Sequence, residues 1–340
     1  MPYCPECGTA LLGREAYCPA CGSELSAYGG GRGAPSTGAG DDEPAANGPG
    51  VTVAEAGISP PGELAYEQYG RICLSRADGG DKRVLAEGYK PVWSPEGSRL
   101  AFADAFHPFD LVVLALDGER SVVARNLAHH DYVLSRDGAL IAFRRMSLRY
   151  DPWIWTVDTS GAEKPHRLVK GIAPSWGPDG RRLCFTSNDY YIYEEARYRH
   201  GVYFVDVADG AEEFVCPGYW PNWSPDGRTI AYNNEGLILL MDADGSNRRE
   251  LIPGLYPEWS PDGRLLTYFK PADGYANYVY ELETGDEVHI GTGYDPSWSP
   301  DSRWLTYHRD DRVYLTETAT GTEYLLERKA AATPAWRPSR

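Results

Sequence analysis

Four cysteines stand near the start of this 340-residue chain as two copies of one short phrase, Cys4-Pro-Glu-Cys7-Gly and Cys18-Pro-Ala-Cys21-Gly. Two thiolates separated by two residues on a tight turn can grip one metal ion from the same side. Gly8 and Gly22 permit the φ > 0 that such a turn commonly uses. Two such knuckles, ten residues apart, supply four sulfurs to a tetrahedron, the closed geometry of a structural zinc site. With every position filled by sulfur none is left for water, which argues against catalytic zinc. Two disulfides or an iron site are the alternatives, and a reducing cytoplasm disfavours the disulfides. So short a stretch has almost no apolar core, and metal binding is expected to drive its folding.

Residues 1–26 resemble the short zinc-ribbon modules found at the start of many bacterial and archaeal proteins. That resemblance implies one structural Zn²⁺ held by Cys4, Cys7, Cys18 and Cys21. Rubredoxins, which carry iron on the same knuckle, normally separate their pairs by a longer segment. Residues 27–62 are rich in Gly, Pro, Ala and Ser, with Asp41-Asp42-Glu43 in the middle and no apolar period. They read as a flexible tether spanning roughly 30–35 Å on average.

Beyond the tether one phrase returns along the chain: PVWSPEGSRLAF from Pro91, PSWGPDGRRLCF from Pro174, PNWSPDGRTIAY from Pro221, PEWSPDGRLLTY from Pro257 and PSWSPDSRWLTY from Pro296. A worn copy, YVLSRDGALIAF, starts at Tyr132, and PAWRPSR starts at Pro334. Ser-Pro-Asp-Gly encodes a type I turn, and the apolar runs on either side read as strands. Each unit then adds two more strands; after Ile230-Ala-Tyr232 come Leu237–Met241, the polar turn Asp242–Asn247 and a short strand around Arg249–Ile252. Four short strands in about forty residues describe a propeller blade. The turn Asp242–Asn247 looks briefly like a calcium loop, but Pro253 stands where the bidentate Glu would be, so a hairpin turn is expected.

The Trp slot falls at Trp93, Leu134, Trp176, Trp223, Trp259, Trp298 and Trp336, giving six complete units and an orphan first strand at Pro334–Arg337. The front end supplies the missing three: Leu64-Ala-Tyr66, Arg71–Ser75 and Val84-Leu85. The sequence therefore predicts an all-β fold, a seven-bladed propeller over residues 63–340 closed by N- and C-terminal strands, which leaves no open sheet edge. Six blades with loose ends is the alternative. Cys73, Cys184 and Cys216 fall on or beside predicted strands and read as small buried apolar residues.

The phrase PxWSPDGxxLAF, followed by a DADGSN-like turn, resembles the repeat of TolB-type propellers over residues 63–340. It is also similar to the propeller domains of tricorn protease and the prolyl-oligopeptidase group. TolB proper is exported and carries another N-terminal domain, and the peptidases carry a separate catalytic domain. No Gly-x-Ser-x-Gly nucleophile elbow occurs in this sequence. Neither TolB's envelope role nor peptidase activity is therefore expected to carry over.

The formal charge of −16, with no block of Lys or Arg, makes nucleic acid a poor partner. There is no run of eighteen apolar residues, so no membrane span is expected. MPYCPECG lacks the features of a signal peptide, which points to the cytoplasm. In a blade, the loop between strands two and three lies on the face opposite Ser-Pro-Asp-Gly. Three consecutive blades have long loops there. One holds Phe106, His107 and Phe109; the next holds Arg144, Arg145, Arg149 and Tyr150; the third holds Tyr190, Tyr191, Tyr193, Arg197, Tyr198 and Arg199. Together they are expected to form an aromatic and basic sector suited to an acidic protein segment or an anionic ligand, since Tyr and Arg are enriched in binding hot spots. The links into the first strands add Tyr89, Lys90, His130, Asp131, Tyr219, Trp220, Tyr256, Tyr294 and Asp295 at the channel mouth. His130, Asp131 and Asp295 are the acid–base candidates there, and no His/Asp/Glu set suggests a catalytic metal. The expectation is a monomeric, non-enzymatic scaffold that grips one protein partner with the propeller and another with the ribbon. The alternatives are an enzyme or small-ligand binder at the channel mouth, and a substrate-filtering partner of a separately encoded peptidase.

Overall fold

The chain divides into two units, Met1–Pro49 and Gly50–Arg340. A computed structural model describes residues 51–104, 109–127, 131–146, 152–187, 201–273, 276–327 and 331–338. The cysteine knuckles, and the tether as far as residue 50, lie outside these.

Twenty-seven strands follow one another along the described residues. The first six are β1 (Glu63–Gln68), β2 (Arg71–Arg76), β3 (Arg83–Trp93), β4 (Arg99–Asp104), β5 (Phe109–Ala115) and β6 (Arg120–Leu127). Four antiparallel strands then recur as a unit. These are β7 (Tyr132–Leu134), β8 (Leu140–Met146), β9 (Pro152–Asp158) and β10 (His166–Lys170); then β11 (Ile172–Trp176), β12 (Arg182–Ser187), β13 (Gly201–Asp206) and β14 (Glu212–Cys216). The next are β15 (Tyr219–Trp223), β16 (Thr229–Asn234), β17 (Leu237–Asp242) and β18 (Arg249–Pro253); then β19 (Leu255–Trp259), β20 (Leu265–Lys270), β21 (Ala276–Glu281) and β22 (Glu287–Thr292). Last come β23 (Tyr294–Trp298), β24 (Trp304–Arg309), β25 (Arg312–Glu317) and β26 (Glu323–Glu327), with β27 (Ala331–Trp336) behind them.

The remaining sheet has the order β27-β1-β2-β3-β4-β5-β6. Its β3 does two jobs. Arg83–Glu87 pairs with β2, and Gly88–Trp93 pairs with β4. Gly88 sits at the change of partner. A Cβ there would lie 2.5 Å from the Ala103 carbonyl oxygen and 2.5 Å from the Phe102 ring, so only glycine fits. Gly218, Gly254 and Gly293 press on Tyr232, Tyr268 and Tyr307 in the same way.

The repeated phrase explains the units. Gly227 N–H donates to the Ser224 carbonyl at 2.9 Å, closing the turn. Ser224 Oγ donates to Asp226 Oδ1 at 2.6 Å and accepts from Thr229 N–H at 3.0 Å. Ser135–Asp137 keeps this arrangement in the worn copy, although Arg136 replaces the proline. Asp242–Asn247 is a hairpin turn, as expected.

The strands that open each unit contact one another in sequence: β3 with β7, β7 with β11, β11 with β15, β15 with β19, and β23 with β27, which returns to β3. Tryptophans tie several of these contacts. Trp93 Nε1 donates to the Ala335 carbonyl, Trp176 Nε1 to Val133, and Trp259 Nε1 to Asn222. Apolar clusters fill the spaces between adjacent sheets. One packs Ile72 and Leu74 on Trp93, Leu100 and Phe102; another packs Cys184 and Phe204 on Trp223, Ile230 and Tyr232. Each such side chain contributes about 1.5–3 kcal/mol on full burial. Cys73, Cys184 and Cys216 are buried and unpaired, as expected of structural cysteines.

The expected closure is present. β27 pairs antiparallel with β1, placing Trp336 opposite Leu64 and Ala335 opposite Ala65. Arg337 pairs with Glu63 and donates from Nε to the Gly97 carbonyl at 2.7 Å.

The end of the expected tether is different. Val51–Val53 runs parallel to β26, with Leu325 N–H bonded to the Val51 carbonyl and Val53 N–H bonded to the Leu325 carbonyl. Val53 is 1 % exposed and packs with Trp304, Leu315 and Trp336. Thr52 and Glu55 cap this segment reciprocally: Thr52 N–H donates to Glu55 Oε2 at 2.9 Å and Glu55 N–H to Thr52 Oγ1 at 3.2 Å. Thr-x-x-Glu was readable in the sequence. It was hidden by the Gly- and Pro-rich composition on both sides.

Candidate functional site: the channel mouth

Six of the seven inner strands open with a residue held in the left-handed region ahead of a proline; the worn β7, which lacks the proline, does not. Lys90, Ala173, Trp220, Tyr256, Asp295 and Thr333 have φ between 47° and 55°. A non-glycine residue held there stores of order 1–3 kcal/mol. The ladder slips beside these positions, between Tyr89 and Val92, Tyr219 and Asn222, and Tyr294 and Ser297. Such bulges re-aim side chains, and here they gather them at one end of the inner strands. The residue after the second-strand aromatic meets them from the neighbouring ladder. That slot holds Glu67, Ala103, Arg144, Thr186, Asn233, Phe269 and His308. Three of these bridge to the next sheet. Thr186 Oγ1 accepts Trp220 N–H at 2.9 Å, Asn233 Oδ1 accepts Tyr256 N–H at 3.4 Å, and His308 Nδ1 accepts Thr333 N–H at 3.5 Å.

Charged groups converge on this ring. Lys90 Nζ lies 3.8 Å from Asp295 Oδ1, and His308 Nδ1 lies 3.7 Å from Asp295 Oδ2. Arg144 Nε lies 3.4 Å from Asp131 Oδ2. The Asp295 carboxylate holds the Lys90 ammonium above its ordinary value against the cost of desolvation, with help from Asp131 and Glu258. Burial pushes the Glu258 carboxyl up to about 7, and the negative charge of Asp295 adds to it while Lys90 opposes it. Glu67 is also pushed up to about 7, by burial first and then by Asp295 and Asp311. Burial lowers His308 toward its neutral form, opposed by Asp295. Glu258 is nevertheless open to water. Protein surrounds it and solvent still reaches it, as expected of a side chain on a channel wall.

Aromatic side chains stand beside the charges. Trp220 and Tyr256 meet edge to face with centroids 4.4 Å apart, flanked by Tyr219 at 5.8 Å and Phe269 at 5.9 Å. Tyr89 packs on Phe109, and Tyr294 on His308. Tyr69 and Tyr294 are 68 % and 46 % exposed. At the opposite end, by the Ser-Pro-Asp-Gly turns, are two shallow depressions of about 360 and 580 Å³, lined partly by paired charges such as Glu63–Arg337 and Arg264–Glu281.

Of the expected aromatic and basic sector, the described residues include three. Phe109 and Arg144 do reach the mouth. Arg145 sits instead over the Trp155 ring, 5.3 Å from its centroid. Successive residues of a regular strand point to opposite faces, and β8 has no bulge here, so Arg145 turns away from Arg144. Phe106, His107, Arg149, Tyr150, Tyr190, Tyr191, Tyr193, Arg197, Tyr198 and Arg199 lie outside the described residues, as do His130 and the four knuckle cysteines. Sequence reasoning missed Glu67, Glu258, His308 and Asp311. The signal for Glu258 was available. It fills the variable slot of Pro-x-Trp, where other copies carry Val92, Ser175, Asn222, Ser297 and Ala335.

A strand order of successive antiparallel units, with inner strands in mutual contact and the last strand paired to the first, matches solved structures. TolB from Acinetobacter baumannii is similar at 18% identity and a TM-score of 0.51, covering 83% of this chain and 68% of that one. The chain has the TolB-type β-propeller fold. A prolyl endopeptidase is similar at 12% identity and a TM-score of 0.51, over 68% of this chain and 41% of its own. A protein described as a putative 6-phosphogluconolactonase from Bacteroides uniformis is similar at 13% identity and a TM-score of 0.54, over 81% and 98%. At these identities the likeness is one of fold. The family model of the zinc-ribbon domain matches residues 3–25, which span Cys4, Cys7, Cys18 and Cys21. None of the curated proteins matches the chain in sequence. Among the described residues no helix is long and apolar enough to cross a membrane.

Proposed function

We propose that this chain is a non-catalytic, cytoplasmic, monomeric adaptor. A seven-bladed TolB-type propeller docks a protein partner at its channel mouth, and a zinc ribbon engages a second. The two halves of β3, one paired with β2 and the other with β4, support seven blades when read as the outer strand of one blade and the inner strand of the next. Cys4, Cys7, Cys18 and Cys21 would hold one Zn²⁺, which would supply the ribbon's folding energy rather than chemistry. The tether between the modules would turn two weak contacts into one stronger attachment.

The observation that carries this reading is the aromatic set at the mouth: Trp220 packed against Tyr256, with Tyr294 exposed at the head of β23 and Tyr69 exposed in the β1–β2 turn. Aromatic anchors around a recess are what protein docking uses. Affinity capture with the full chain, a Trp220→Ala/Tyr256→Ala variant and a Cys18→Ser/Cys21→Ser variant tests it. One partner should be lost with the first variant and another with the second. Partners retained equally by both variants would refute it.

The Lys90–Asp295–His308 set favours a second reading, an enzyme or small-ligand binder acting at the mouth. Turnover of a small substrate that is lost in Asp295→Asn while capture persists would favour it over the first.

A further inference from the structure

The charges gathered at the mouth do not balance. Glu67, Asp131, Glu258, Asp295 and Asp311 face Lys90 and Arg144, of which Arg144 is engaged by Asp131 and Lys90 lies against Asp295. His308 is held toward its neutral form, so it adds little positive charge. Burial first, and then the negative charge of Asp295, resist ionisation of Glu67 and Glu258; Asp311 adds to this at Glu67 and Lys90 opposes it at Glu258.

A second observation falls in the same place. Thr267 is paired directly across the β19–β20 ladder from Glu258, so the two side chains share a face. Thr267 is fully buried, and its Oγ1 has no hydrogen-bond partner among the described residues. In the corresponding pair of the next sheet, Thr306 Oγ1 donates to the Ser297 carbonyl. The strand facing Glu258 therefore carries an unmet hydroxyl beside it. Trp220 and Tyr256 stand on the inner strands β15 and β19 and offer π systems that attract cations.

We propose that the mouth receives a cationic side chain, a lysine or arginine projected by an extended segment of a partner protein. Glu258 and Asp295 form its anionic seat, and Trp220 and Tyr256 form its aromatic wall. The inference rests on the adaptor reading and gives the docked segment its chemistry. The sign is opposite to the one the sequence suggested for this face, where arginines of the long loops pointed to an acidic partner. Lys90 then acts as a resident stand-in, occupying Asp295 until the incoming cation competes for it. The formal charge of −16 draws a basic segment from a distance.

The test is calorimetric titration of the intact chain in 0.15 M salt with an acetylated Gly-Lys-Gly-Lys-Gly peptide, its glutamate counterpart, and CaCl₂. The lysine peptide is expected to bind and the glutamate peptide not to bind. Glu258→Gln/Asp295→Asn should weaken the lysine peptide about tenfold or more. Glu119→Gln/Glu283→Gln removes the same charge from exposed positions away from the mouth and should leave binding within about twofold. Lys90→Met removes the stand-in and should tighten binding about threefold, a gain that a misfolded variant cannot mimic. No binding of the lysine peptide, equal weakening by both double variants, preference for the glutamate peptide, or calcium bound in its place would each overturn the proposal. A partner still captured through the mouth by Glu258→Gln/Asp295→Asn would leave the adaptor reading standing and remove only this one.

Discussion

Lys90 on β3 and Asp295 on β23 approach to 3.8 Å although their strands are not neighbours, since β27 lies between them. The pair therefore spans the inner strand that carries Thr333. It is possible only because both residues sit in the left-handed region ahead of a proline and are turned toward the mouth. The strained position that recurs along the repeat is thus also the one that supplies the site.

Glu258 makes stability depend on pH in a defined direction. Its carboxyl is raised to about 7 in the folded chain, above the ordinary carboxylate value. The folded state therefore holds a proton that the unfolded state has released, and this contribution is lost as pH rises from about 4.5 through 7. Glu258→Gln should raise Tm at pH 8 relative to the parent chain and leave it nearly unchanged at pH 4.5, measured by calorimetry. An unchanged difference across that range would contradict the account of this residue.

Val53 should behave as core. Val53→Ala should cost about 2 kcal/mol in urea unfolding, because it removes buried methyls between Trp304 and Trp336. A tether residue would give no measurable change. Ala54, one position on and exposed, serves as the comparison through Ala54→Ser.

Closure should depend on the last strand. Trp336 is buried in the cluster that joins β27 to β1 and β24, so Trp336→Ala should destabilise by about 3–5 kcal/mol. Arg337→Ala removes the contacts to Glu63 and Gly97 and should cost less, about 1–3 kcal/mol. A ring that unfolds with unchanged midpoint in Trp336→Ala would mean that β27 does not close it.

Elemental analysis of the full chain should find one zinc, lost in Cys18→Ser/Cys21→Ser. Sub-stoichiometric zinc, or bound iron, would contradict the ribbon assignment that residues 3–25 support.

The strands, the Ser-Pro-Asp-Gly turns and the β1–β27 closure were legible because each copy repeats its turn chemistry and apolar period. Even the worn copy was placed correctly, since Ser135 and Asp137 keep the side-chain bond that shapes the turn. The mouth was legible only in part. Tyr89, Lys90, Trp220, Tyr256 and Asp295 precede or stand next to a proline that marks the start of an inner strand. Glu67 and His308 carry no such marker, and only alignment of the copies on the second-strand aromatic brings them into one ring. Arg144 and Arg145 were placed together in the loop between strands two and three; both lie on β8 instead, where alternation turns Arg145 onto Trp155. Val53 was missed because one turn of capped structure does not alter the composition of a 36-residue window.

The central claim is that a protein partner docks at the channel mouth, and site-specific photocrosslinking tests it most directly. A crosslinking amino acid at position 69, at the mouth, is compared with one at position 84, which is 54 % exposed on the outer part of β3. The account predicts a partner adduct from position 69 and none from position 84. An adduct from position 84 alone would contradict it.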